Sequence, residues 1–93
     1  METTEDGGVL AMWPNPNRGD QLYLQMTGIE AGVTEVGVDV HDLFGKRVIS
    51  EMVSTGGGDL NHVMQLGGDL ASGLYTVTVT AGDQIKTQRL VIE

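Results

Sequence analysis

The 93-residue chain has no cysteine, only two prolines, four aromatic side chains (one Trp, two Tyr, one Phe) and five basic residues. Each shortage excludes something. Without cysteine there is no disulfide framework, no thiolate metal site and no cysteine nucleophile. That usage fits a reducing compartment, yet exported bacterial domains can also lack cysteine, so it does not decide location. Five basic residues against thirteen acidic ones give a formal net charge of −8. This leaves no cationic stripe for nucleic-acid phosphates and no attraction to an anionic membrane surface. No apolar run approaches the roughly 18–20 residues of a transmembrane helix. The opening Met1-Glu2-Thr3-Thr4-Glu5-Asp6 lacks the basic and apolar regions of a signal peptide. At this length one domain with a small core is expected, with little room for an enclosed active site.

The chain is rich in glycine, 14 of 93 residues, about twice the usual share of roughly 7%. The glycines punctuate the chain at intervals. Between them lie short runs rich in β-branched and apolar residues, the pattern of strands joined by turns. The runs are 9–13, 21–26, 35–43, 46–54, 60–66, 74–80 and 84–92. Leu22, Leu24 and Met26 share one face of their run, and Val36, Val38 and Val40 share one face of theirs. Tyr75, Val77 and Val79 stand opposite Thr76, Thr78 and Thr80. In run 46–54, Val48 and Met52 lie on one side and Ile49 and Val53 on the other, so that strand reads as covered on both faces. A period of two recurs and a helical period does not. The expected fold is all-β: a single seven-stranded antiparallel β-sandwich, immunoglobulin-like, over residues 9–93, preceded by a flexible linker over 1–8. A barrel is the alternative closure.

Turn chemistry supports the strands. Asp42-Leu43-Phe44-Gly45-Lys46 places a glycine where a tight reversal needs positive φ, with Asp42 able to accept hydrogen bonds from its own turn. Pro14 and Pro16 stop the first strand and stiffen the next turn. Gly19 lets the chain reverse, Gly73 allows a tight entry to the strand carrying Tyr75, and Leu70 anchors the connection over 67–72. Gly56-Gly57-Gly58 reads as the most mobile loop.

Catalytic and metal-binding patterns are not found. His41 and His62 have no metal-ligand spacing and read as solvated surface residues. The seven aspartates lack a D-x-D-x-D-G loop, so turn-forming and solubilising roles are expected in place of calcium binding. Ser50, Ser54 and Ser72 lie in no G-x-S-x-G elbow. The reading is therefore of no enzyme, no catalytic residues, no metal and no cofactor. Arg18-Gly19-Asp20 spells an adhesion tripeptide, but a turn already accounts for its glycine. Trp13 and Tyr23 could form a small platform, although core or rim packing is the commoner role of such rings.

Four motifs in order are more specific than any of these. They are Trp13-Pro14-Asn15-Pro16-Asn17-Arg18-Gly19, then Val38-Asp39-Val40-His41-Asp42-Leu43-Phe44-Gly45-Lys46, then Leu70-Ala71-Ser72-Gly73-Leu74-Tyr75-Thr76-Val77-Thr78-Val79, and the closing stretch 86–92. Together they resemble the type A C-terminal sorting domain of the type IX secretion system of Bacteroidetes. Trp13 stands where members usually carry tyrosine or phenylalanine, and the chain ends in Ile92-Glu93 where many end in lysine. The resemblance implies a non-enzymatic address that directs a larger cargo, fused ahead of it, across the outer membrane. Its implied partners are the type IX translocon, a shuttle protein and a surface sortase, with no nucleic acid and no transmembrane segment. The sortase would cut near residues 5–8 and join the cargo to lipopolysaccharide, or the cargo would be released. Localisation would be periplasmic in transit, then cell-surface or secreted. Carried over by position, the recognition residues are Pro14, Asn15, Pro16, Gly19, Asp42, Gly45, Lys46, Gly73, Tyr75, Lys86 and Arg89. Docking through an exposed strand edge or the last strand is expected, because unpaired edges are templates for strand addition. A non-catalytic accessory sandwich binding carbohydrate or protein is the alternative, and an inert spacer of fibronectin type III character is another.

Overall fold

The computed structural model describes residues 8–93. The expected cut near residues 5–8 and the expected linker over 1–8 fall, all but Gly8, outside the described residues. Seven strands succeed one another: β1 (Val9–Trp13), β2 (Gln21–Thr27), β3 (Glu35–His41), β4 (Arg47–Ser54), β5 (Leu60–Gln65), β6 (Gly73–Ala81) and β7 (Gln84–Ile92). They form a three-stranded sheet, β1-β2-β5, and a four-stranded sheet, β4-β3-β6-β7, with every strand pair antiparallel. If β1–β7 are lettered A to G, the sheets hold the A-B-E and C-F-G groupings of an immunoglobulin sandwich. The fourth strand pairs with the third and extends the C side.

Alternation drives the closure. One face of β2 buries Leu22, Leu24 and Met26, and one face of β3 buries Val36, Val38 and Val40. β6 adds Tyr75, Val77, Val79 and Ala81, and β7 adds Leu90 and Ile92. Removing each such Val or Leu side chain from water contributes about 1.5–3 kcal/mol, which is what holds two sheets of this size together. Leu70 packs partly buried against this core from the β5–β6 connection, as expected of an anchor.

The strand bounds differ little from the expected runs. β3 stops at His41 because Asp42 opens the turn, and β6 includes Gly73 and Ala81. β4 departs further. The register slips between Val40 and His41, which pair with Ile49 and Arg47, leaving Val48 unpaired in a bulge. The bulge reverses the phase of the strand, so Ile49, Glu51 and Val53 turn inward. Met52 is then 67% exposed, and β4 is covered on one face only. His62 also differs from the solvated surface expectation. It shares the inward face of β5 with Leu60 and Met64, and its Nε2 lies 2.8 Å from Glu51 Oε1, spanning the gap between the sheets.

Candidate functional site: one end of the sandwich

The register gathers the motifs. Trp13 pairs with Tyr23, Gln21 with Gln65, His41 with both Thr76 and Arg47, and Gly73 with Ile92. The ends of β1, β3, β5 and β7 therefore meet the starts of β2, β4 and β6 at one end of the molecule. Ten of the eleven carried-over residues lie at or next to that end. Lys86 does not. It pairs with Val79 in the half of the sheet nearer the β6–β7 turn, half-buried beside Gly8, and it is not without a partner.

The segment after β1 lies along the outer edge of β7. Asn15 Nδ2 donates to the Arg89 carbonyl (2.9 Å), and its Oδ1 accepts from the Val91 amide (3.0 Å). The Asn17 amide donates to the Val91 carbonyl (2.7 Å), and the Glu93 amide donates to the Asn17 carbonyl (2.8 Å), a parallel bridge centred on Ile92. Both X-Pro bonds, Trp13–Pro14 and Asn15–Pro16, are cis. The last third of β7 is thus paired on both sides, and it is not the open template expected from the sequence.

Asn17 is the residue that sequence reasoning missed. It is fully buried. Its Nδ2 donates to the carbonyls of Pro14 (3.1 Å) and Gln21 (2.8 Å), and its Oδ1 accepts from the Gly19 amide (2.6 Å). Every polar group it owns is used, as burial requires. Gly19 turns at φ 90°, with Ile92 beneath it and its carbonyl taken by the Gly68 amide. The adhesion tripeptide is accordingly folded into a structural turn, its glycine buried between Arg18 and Asp20.

The second motif forms the β3–β4 hairpin loop. Asp42 Oδ1 accepts from the amides of Phe44 and Lys46, both at 2.9 Å, and the Asp42 carbonyl accepts from Gly45 at 3.1 Å. Gly45 sits at φ 85° with open space around it, so its requirement is conformational. This self-contained turn holds Leu43 and Phe44 outward, 69% and 92% exposed. The third motif faces it. Tyr75 is buried, and its hydroxyl donates to the Ala71 carbonyl at 2.7 Å, the tyrosine-corner device of Greek-key sandwiches. Between the hairpin tip and residues 71–75 lies a shallow cleft of about 250 Å³. Asp39 and Arg47, on neighbouring strands β3 and β4, form a loose ion pair at 3.9 Å. The site has hydrogen-bonded turns, an exposed aromatic tip and flanking cations. Among the described residues it has no convergent nucleophile, acid or base, and no group of His, Cys, Asp and Glu gathers as a metal site.

The family model for the secretion system C-terminal sorting domain matches residues 11–93. The chain belongs to that family. A search of curated proteins finds no match. As a type IX sorting domain it is a signal for export to the cell surface or beyond, carried behind an N-terminal cargo, and its family is not a class of enzymes. No helix among the described residues is long and apolar enough to cross a membrane.

Proposed function

We propose that the sorting domain is read at its motif-bearing end by the type IX translocon and its shuttle protein. On this reading the cargo passes through the periplasm, and a surface sortase then cuts before residue 9 and joins the cargo to lipopolysaccharide or releases it. The observation that carries this is the convergence of three motifs on one end, with Phe44 held out by a turn that needs no other part of the protein. β1 begins at the opposite end, where Val9 pairs with Thr27. A cargo fused ahead of β1 would therefore leave the motif end clear.

The edges supply the complementary argument. The last third of β7 is capped by Asn15 and Asn17, while β4 and β5 turn Glu51 and His62 inward. Capped edges and inward polar groups are ways of refusing strand addition, which at these edges supports recognition at the loops. Deleting residues 86–93 would be a poor test, because it removes Leu90 and Ile92 from the core. Point variants serve better: a reporter fused ahead of residues 9–93 in a type IX-competent bacterium, carrying Phe44→Ser or Lys46→Glu. Export should fall about tenfold for each lost contact of roughly 1.4 kcal/mol. Unchanged export from a folded double variant would reject the assignment. A second reading, an accessory sandwich binding carbohydrate or protein, is favoured by the stacked Trp13–Tyr23 pair.

A further inference from the structure

The outer face of the three-stranded sheet differs from the rest of the molecule. β1, β2 and β5 contain no Asp, Glu, Lys or Arg at all, in a chain of net charge −8. The outer face of the other sheet carries Glu35, Asp39, Arg47 and Arg89. On the uncharged face Trp13, Tyr23 and Val63 are direct cross-strand neighbours. The two rings lie nearly parallel, 10° between planes and 5.8 Å between centroids, and remain 46% and 39% exposed. One neighbouring row holds Gln25 beside Asn61, and the other holds Gln21 beside Gln65. All four carboxamides are exposed. An aromatic row thus runs between two rows of amides, each about 7 Å away by the strand repeat.

We infer that this face binds a neutral polysaccharide. Exposed Trp and Tyr offer apolar ring faces with a polar tip, suited to the C–H face of a pyranose. Each carboxamide offers two donors and an acceptor, which suits vicinal hydroxyls on either side of the stacked sugar. The absence of charge selects the occupant. A charged polymer or an acidic or basic protein would find no counter-charge here, whereas a polyhydroxylated neutral chain needs none. The face lies on the outer side of the three-stranded sheet, whereas the Phe44 tip is on a loop of the four-stranded one, so the variants that test sorting, at Phe44 and Lys46, lie outside this face, although Trp13 also opens the first motif.

Trp13 is the sole tryptophan, so its emission reports on this face directly. The 93-residue chain is titrated with soluble β-glucan, xylan and galactomannan, with polygalacturonate as the charged comparator, and the same polymers are cast into affinity gels. The expected result is a saturable change in Trp13 emission, together with gel retardation, for at least one neutral polymer and not for polygalacturonate. Tyr23→Ala should weaken binding by about tenfold, the upper range of one aromatic contact, and Asn61→Asp should weaken it by placing a charge in the amide row. Circular dichroism melts confirm that both variants fold. No response to any neutral polymer overturns the inference. So does binding untouched by both variants, or a Trp13 change that follows protein concentration alone, which would identify the face as a contact between copies of the chain.

Discussion

Replacing Asn17 by alanine should be the most damaging single polar substitution in the domain. The change strips partners from three backbone groups: the carbonyls of Pro14 and Gln21 and the amide of Gly19. Asn17 is fully buried, so water does not simply take its place. A net hydrogen bond is worth about 1 kcal/mol, and a buried group left unsatisfied costs about 1–3. With Pro14 and Gln21 themselves near the surface, about 1 kcal/mol for each lost bond is the reasonable level, giving about 3 kcal/mol in total. For a domain of this size that lowers Tm by about 15 °C and removes a large share of a stability of about 5–15 kcal/mol. The assay is urea unfolding followed by Trp13 emission and by far-UV circular dichroism, with Asn15→Ala as the comparison. Asn15 makes two hydrogen bonds to β7 of similar length, but it is exposed. Its loss should cost about 1 kcal/mol or less, since water replaces what is removed. If Asn17→Ala costs no more than Asn15→Ala, burial does not set the value of this clamp and the reasoning fails.

Three further outcomes rest on the same geometry. Tyr75→Phe deletes the bond to the Ala71 carbonyl and should cost about 1–1.5 kcal/mol in thermal unfolding. Gly45→Ala puts a methyl into open space but at φ 85°, so a loss of about 1 kcal/mol is expected from backbone conformation alone, with β3–β4 amide signals in NMR spectra retained. A double-mutant cycle on His62 and Glu51 should return a coupling of about 0.5 kcal/mol, because both side chains keep partial access to water; a coupling of zero would remove the pair as a brace between the sheets.

Strands, turns and sandwich were legible because their signals are local. Alternation places Leu22, Leu24 and Met26 on one face whatever the partner strand is, and Asp42 with Gly45 closes its own loop within five residues. The same logic contained the answer for His62, since it falls in phase with Leu60 and Met64. β4 misled because Val48 and Ile49 are adjacent and apolar. That run reads as two covered faces, whereas a bulge absorbs one residue and leaves Met52 outside. Asn17 was not legible as a clamp. Its side-chain partners Pro14, Gly19 and Gln21 lie within four positions, but the burial that gives those bonds their value goes with backbone bonds to Val91 and Glu93, more than 70 positions away, and nothing local distinguishes it from the exposed Asn15 two residues earlier. Lys86 and Arg89 stand three residues apart in one strand, yet they belong to opposite halves of it, because strand direction carries the chain about 10 Å over that interval.

The C-terminal strand therefore takes on a different role from the one its sequence invites. A short apolar strand ending in Ile92-Glu93 looks like a free edge awaiting a partner. In the fold its edge is already occupied from Arg89 to Glu93 by Asn15 and Asn17, and the occupying segment is itself the first of the four sequence motifs. The proline-asparagine stretch and the last strand are thus one structural unit. A variant that loosens either one exposes both, so a secretion defect at Asn17 would arise from an uncapped edge. A defect at Phe44, on a turn that closes by itself, would arise from a lost contact. Measuring stability and export on both variants separates the two: Asn17→Ala should lower both, and Phe44→Ala, at a side chain 92% exposed, should lower export while stability stays within about 0.5 kcal/mol of the parent.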